Sequence, residues 1–124
     1  MATNETLEVG KKLVALCREG KNLEAIDSLY DEQIESLEPM EMPDGSKEAK
    51  GKKAIRDKNV WWTEHMEVHS AQSEGPYPNG DRFAVRFKYD ATDKDSGKRQ
   101  TLEEVGLYTV KNGKIVREEF FATA

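Results

Sequence analysis

The sequence predicts an α+β domain in which three helices precede a mostly antiparallel sheet. Three observations carry that expectation. Apolar residues recur at helical spacing through the first thirty positions, period-two alternation runs from Arg82 to Thr92, and Asn112-Gly113 separates two further alternating runs. Asn-Gly is the strongest short hairpin signal, because a type I′ turn needs positive φ at both central residues. At 124 residues the chain is one domain, residues 1–124, long enough to enclose a core and too short for two.

Thr3 or Asn4 can cap a first helix, whose stripe Leu13, Leu16 and Cys17 runs until Gly20 ends it. Asn22 is the expected cap of a second helix with Leu23, Ile26, Leu29 and Tyr30 facing inward. From Gln33 to Glu38 the period changes to two, placing Ile34, Ser36 and Glu38 on one face, and Pro39 stops the strand. The stretch 40–50, with Met40, Met42, Pro43, Asp44-Gly45 and Ser46, reads as a loop. A third helix is expected from about Gly51 to Met66, presenting Ile55, Trp62 and Met66 to the interior. Strands follow: Val68 to Ser73, a turn-rich passage over Gly75–Gly80, then Arg82–Thr92 with Phe83, Val85, Phe87 and Tyr89 on one side.

A two-residue turn at Asn112-Gly113 sets Lys111 opposite Lys114. Uninterrupted pairing from there places Leu107 opposite Glu118, Val105 opposite Phe120 and Glu103 opposite Ala122 on the apolar face. Tyr108, Ile115 and Arg117 then fall on the outer face. The preceding loop, Asp93–Lys98, is read as pairing Lys88 with Glu104 and Phe87 with Val105. Glu103 and Glu118 are thus expected to point inward among apolar side chains, where an acid is costly and commonly functional.

Composition narrows the function. Apolar residues make up 36% and charged residues 35% of the chain, with a net charge of −5 and a pI near 5.2. Such a balance argues against a nucleic-acid role. The local basic cluster Lys47, Lys50, Lys52, Lys53, Arg56 and Lys58 is interrupted by Glu48 and Asp57 and reads as a solvated face. Met1–Gly10 lacks the basic start and apolar centre of a signal peptide, and no run approaches membrane-spanning length, so the expected compartment is the cytoplasm. Cys17 has no partner for an internal disulfide and reads as a packed thiol. His65 and His69 have no cysteine or acidic cluster beside them, so neither a metal nor any other cofactor is indicated.

Several segments resemble the NTF2-like superfamily, whose curved sheet wraps around helices as a cone with a deep pocket. Asn22-Leu-Glu-Ala-Ile-Asp-Ser-Leu-Tyr30 with Glu38-Pro39 looks like its second helix and first strand, Gly51-Lys-Lys-Ala-Ile55 like the start of its third helix. Tyr108-Thr-Val-Lys-Asn-Gly-Lys-Ile-Val-Arg-Glu-Glu-Phe-Phe121 looks like its terminal hairpin. Within that superfamily the chain is most similar to the SnoaL-like group, which includes polyketide cyclases and many members of unknown activity. The resemblance implies the cone fold over nearly the whole chain and leaves activity open. Ketosteroid isomerases share the fold, and the Asp-Pro that carries their proton-shuttling base matches Glu38-Pro39 when Tyr30 is aligned without gaps. Their two oxyanion donors, a tyrosine on the first helix and a protonated acid on the fifth strand, fall at Val14 and Val105, which cannot donate. The acid of SnoaL-type cyclases lies near the end of the last strands, where Glu118 and Glu119 stand and only Glu118 faces inward in the expected register.

Glu38, Glu103 and Glu118 are therefore the candidate proton-transfer groups, and crowding plus desolvation is expected to raise at least one pKa towards neutrality. The alternative role for each is hydrogen bonding to neighbouring groups or a place at a wet rim. Tyr30, Met40, Met42, Trp62, Phe87, Tyr89 and Phe120 are candidates for an apolar wall suited to a ring-containing small molecule, and His65 and His69 for a second proton-transfer group. The outer sheet face, with Tyr108, Ile115, Arg117 and Phe121, suggests a homodimer. Two functions remain open from sequence. One is a small-molecule cyclase or isomerase that moves protons next to a carbonyl; the other is a non-catalytic ligand-binding or dimerisation module on the same cone.

Overall fold

Helix α1 (Asn4–Arg18) carries Glu5 in its first turn and Arg18 in its last, both complementary to the helix dipole. It buries Thr6, Val9, Gly10, Leu13 and Val14 along one stripe. Gly20, at φ 73°, turns the chain so that Lys21 N–H reaches the Leu16 carbonyl at 2.9 Å. These coordinates are a computed structural model and describe residues 4–41 and 45–122. Thr3, Met42, Pro43 and Asp44 lie outside the described residues.

Helix α2 (Asn22–Leu29) is capped by Lys21, so Asn22 is its first residue and not the cap that the sequence suggested. The helix runs directly into β1 (Tyr30–Leu37), three residues earlier than the alternation indicated. Tyr30 closes the helix by donating its N–H to the Ile26 carbonyl and already has extended backbone. Ile34 and Ser36 are buried on the inner face, as the period-two pattern required. A three-residue strand β2 (Glu48–Lys50) pairs antiparallel with β1, where sequence showed only loop, because three residues are too few for a period to register.

Helix α3 (Lys52–His65) follows Gly51 and buries Ile55 completely. Strand β3 (Met66–Asn79) continues through most of the Gly75–Gly80 passage, ending one residue before Gly80, with register shifts at Val68/Ser70 and Glu74/Tyr77 that absorb its turn residues. Strands β4 (Arg82–Asp93), β5 (Arg99–Lys111) and β6 (Lys114–Ala122) complete a six-stranded sheet of order β2-β1-β6-β5-β4-β3. Only the β1–β6 pair is parallel. The sheet curves around the helices, and Leu13, Ile26 and Ile55 from the helices meet Ile34, Phe83, Val85 and Ile115 in one core. The α+β cone is therefore the observed architecture.

The terminal hairpin turns at Asn112 (φ 52°) and Gly113 (φ 76°), as expected for this dipeptide. Its register then departs from uninterrupted pairing. Val110 faces Ile115, yet Thr109 faces Arg117, so Val116 is an extra residue in β6. Beyond this bulge Tyr108 faces Glu118 and Gly106 faces Phe120. Between β4 and β5, Thr92 pairs with Arg99 across the loop, which sets Phe87 opposite Glu104 and Lys88 opposite Glu103. Both hairpins thus present the even-numbered residues of β5 to the interior. Tyr108 and Ile115 are 2% and 0% exposed and belong to the core, not to an outer dimer face. Arg117 and Phe121 remain outside, with Phe121 45% exposed.

Candidate active site

Between the concave face of the sheet and helices α2 and α3 lies a cavity of about 1030 Å³. Its wall is aromatic. Tyr30 comes from β1, Phe87 and Tyr89 from β4, Tyr108 from β5, Phe120 from β6, and Trp61 and Trp62 from α3. Phe87 and Tyr89 stack at 6.2 Å, Trp62 tilts against Tyr89 at 5.6 Å, and Tyr108 meets Phe120 edge-on at 6.2 Å. Alternation along β4 puts its two rings on one face, and the helical step separates the tryptophans. Trp62 is half-buried against the wall, whereas Trp61 is 45% exposed at the rim and stacks on His65. Met40 reaches the cavity mouth, largely in solvent.

Glu118 sits at the floor, 1% exposed. The Tyr30 hydroxyl donates to its Oε2 and the Ser36 hydroxyl to its Oε1 at 2.8 Å. Burial pushes this carboxyl up from its ordinary range, while Lys58 and the two hydroxyl donors pull it back. The inward direction expected for Glu118 is what the structure has, although its cross-strand partner is Tyr108 in place of Leu107. Both of its oxygens are occupied by protein donors.

Glu38 is joined to this floor by Lys58. The Lys58 ammonium donates to Glu38 Oε1 at 2.6 Å and to Ser36 Oγ at 3.0 Å, and lies 5.7 Å from the centroid of the Phe120 ring. Tyr30, Glu118, Ser36, Lys58 and Glu38 thus form one continuous chain of polar contacts along one side of the cavity. Sequence alone places Lys58 on a solvated basic face, and the structure turns it inward. Its helical spacing from Ile55 and Trp62 was the available signal that it turns inward. Its neighbours do serve the surface, with Lys53 pairing with Asp57 and Arg56 with Asp27.

Glu104 is the acid that sequence reasoning missed. It projects into the cavity opposite Phe87, and no hydrogen bond among the described residues reaches its carboxyl. Desolvation first, and then the charges of Glu38 and Glu118, raise its pKa from 4.5 to about 7, against a smaller opposing pull from Lys58. The expected near-neutral acid therefore exists, one residue from where the sequence placed it. Glu103 touches the rim, but its carboxyl accepts from Arg86 Nη2 at 2.8 Å on the outer face. The one-residue register difference is the reason Glu103 is not a pocket acid.

Neither histidine lines the cavity. His65 Nδ1 lies 2.7 Å from the Trp61 carbonyl within its own helix, and His69 Nε2 lies 2.7 Å from Thr92 Oγ1 across β3 and β4. Their proposed place in the site is corrected accordingly. Among the described residues, no group of three or more His, Cys, Asp and Glu side chains is arranged to hold a metal ion, and no helix is long and apolar enough to cross a membrane. Chemically, the cavity combines a flat apolar wall, one acid without a protein donor and one ammonium held among oxygens.

The sequence matches the SnoaL-like domain family over residues 2–122. A solved structure from Mesorhizobium loti, described as a candidate SnoaL-like polyketide cyclase, is 48% identical, with a TM-score of 0.87 over 92% of this chain and 96% of that one. An NTF2-like protein of unknown function from the same organism is 19% identical, with a TM-score of 0.69 over 97% and 92% of the two chains. The protein TerC, crystallised with polyporic acid, is 20% identical, with a TM-score of 0.72 over 96% and 92%; these last two likenesses concern the fold alone. No curated protein is significantly similar in sequence. Sequence match and architecture agree, and the chain belongs to the SnoaL-like family within the NTF2-like fold.

Proposed function

We propose that this protein is a small-molecule enzyme of the cyclase or isomerase type, moving a proton next to a carbonyl with Glu104 as the proton-transfer group. The observation that carries this reading is the different commitment of the four candidate acids. Glu118 accepts bonds at both oxygens, Glu38 is held by Lys58 and Glu103 by Arg86, whereas Glu104 opens onto an aromatic cavity without a donor. An acid with a pKa of about 7 takes and returns a proton at neutral pH with little bias either way. The Glu104 carboxylate would remove a proton from the carbon beside the carbonyl, the electron pair of that C–H bond becoming a carbon–carbon double bond as the carbonyl π pair moves onto the oxygen. The resulting enolate either takes the proton back at another carbon, giving an isomer, or attacks a second carbonyl, whose new alkoxide takes the proton from Glu104. Either course restores the carboxylate.

The wall of Trp62, Phe87, Tyr89 and Phe120 suits a ring-containing substrate, and TerC, a protein of the same fold, is crystallised with a small molecule, polyporic acid. Had Glu104 also been tied to a neighbour, a non-catalytic binding module would have been the better reading. The test is deuterium exchange at the α-carbon of 2-tetralone, followed by proton NMR. Wild-type protein should accelerate exchange over buffer, and Glu104→Gln should lose about 100-fold or more of that acceleration. Exchange no faster than buffer, or unchanged by Glu104→Gln, overturns the assignment.

A second copy of the chain is the proposed partner of the outer sheet face. Phe121 is exposed there beside its cross-strand partner Val105, flanked by the Arg117–Glu35 ion pair. Light scattering at high micromolar concentration should give a dimer for the wild type and a monomer for Phe121→Glu. A monomeric wild type overturns it.

A further inference from the structure

Removing a proton beside a carbonyl leaves negative charge on the carbonyl oxygen, and a site that does this needs a donor aimed at that oxygen. The two positions that sequence comparison offered for this task fail in the structure as well. Val14 is buried in the core, and Val105 lies on the outer face of β5. Lys58 is different. An ammonium has three N–H groups. One goes to Glu38 Oε1, one goes to Ser36 Oγ, and the third has no acceptor among the described residues. Its nitrogen is fixed at the cavity wall, near the Phe120 ring and within electrostatic reach of Glu104. Two short contacts immobilise a side chain that is ordinarily flexible, so little ordering remains to be done when a ligand oxygen arrives.

We propose that Lys58 is the oxyanion-binding residue of this cavity, donating its third N–H to the carbonyl oxygen of the substrate while Glu104 takes the adjacent proton. This rests on the proton-transfer reading above and adds the electrophile that reading lacks. Charge is conserved: the negative charge leaves Glu104 and appears on the substrate oxygen, and Lys58 remains an ammonium throughout. Glu38 serves as a positioning residue, holding the Lys58 nitrogen from the far side. Among the other donors lining the cavity are the hydroxyls of Tyr89 and Tyr108. Burial and the nearby glutamates push both phenols up, which makes them weaker donors than a full positive charge.

The experiment uses phenols as stable oxyanion probes, with 4-cyanophenol and 4-nitrophenol read by ultraviolet absorption. It is done in Glu104→Gln, because glutamine is the neutral counterpart of the proton-loaded acid. Bound phenol should ionise at a pH at least about one unit lower than in buffer, a tenfold change in its ionisation equilibrium. Adding Lys58→Met should return it to the buffer value, and adding Lys58→Arg should preserve most of the effect. Tyr89→Phe and Tyr108→Phe should leave it in place. Circular dichroism of each variant checks folding, and the arginine variant keeps the test open if methionine disturbs the floor. A shift that survives Lys58→Met, a shift lost only with a tyrosine, or failure of both phenols to bind at millimolar concentration overturns the proposal. Exchange of 2-tetralone by the wild type without any phenol shift would remove Lys58 from the mechanism and leave Glu104. A phenol shift without exchange would remove the reaction and leave Lys58 as an anion-binding group.

Discussion

Tyr30 donates its hydroxyl to Glu118 Oε2, joining the first residue of β1 to the middle of β6 across 88 positions of sequence. The tyrosine is 6% and the glutamate 1% exposed, so water is a poor substitute for either partner. Tyr30→Phe leaves one buried carboxyl oxygen without its donor and should cost about 1–3 kcal/mol of stability. Urea denaturation followed by circular dichroism measures it. Because Ser36 donates to the other oxygen of the same carboxyl, Tyr30→Phe and Ser36→Ala should be non-additive. Additive losses would show that the two bonds act independently.

Glu104 links this site to pH. Its carboxyl holds a proton more tightly in the folded chain, at about 7, than at its ordinary value of 4.5. Below about 4.5 both states are protonated and the group has no effect. Between about 4.5 and about 7 the unfolded chain gives up the proton first, so stability falls as pH rises, by roughly 3 kcal/mol at most from this group. Glu118, also raised, acts in the same direction. Glu104→Gln should flatten this decline and be more stable than wild type at pH 8, with the two closer at pH 5. Parallel stability curves for the two proteins over this range would refute it.

Gly106 marks the closest approach within the aromatic wall. A Cβ built there would stand 2.8 Å from Tyr108 Cε2 and 3.1 Å from Phe120 Cε1. These are ring atoms in a packed wall and move only together. Gly106→Ala should therefore cost about 1–3 kcal/mol and displace both rings, seen as shifts of their aromatic NMR signals. A variant of wild-type stability with unshifted rings would mean that the wall is loosely packed.

Cys17 lines the cavity from α1, half-buried, and its thiol is pushed up to about 12 by burial and by the charge of Glu118. The thiolate is the reactive form. Native protein at pH 8 should react with a disulfide reagent far more slowly than urea-unfolded protein, as the thiol colour assay records. Equal rates in both states would contradict this placement.

How legible the molecule was depends on distance along the chain. Helical stripes, the β4 alternation and the Asn112-Gly113 turn are local signals, each set by the sterics and periodicity of neighbouring residues, and each is present in the structure. Glu38, just past the end of β1, and Glu118, beyond the bulge in β6, both line the cavity, and the rings of Tyr30, Trp62, Phe87, Tyr89 and Phe120 line it with them. Strand β2 was not legible, because three residues carry no period.

By itself, the sequence determined the α+β class, the family likeness, the turn and the aromatic wall. Tertiary structure alone decided which acid meets the substrate side and which cation stands beside it. The bulge at Val116 shifts pairing by one residue, and in a strand of period two a shift of one exchanges the faces. On β6 that exchange keeps Glu118 and Phe120 on the inner side with Ile115. Strand β5, which has no bulge, turns its even-numbered residues inward, so that Glu103 points out to Arg86, Glu104 lies opposite Phe87 and Tyr108 joins the core and not an expected dimer face. Lys58 depends likewise on where α3 lies against the sheet, because only that packing sets its ammonium between Glu38 and Ser36.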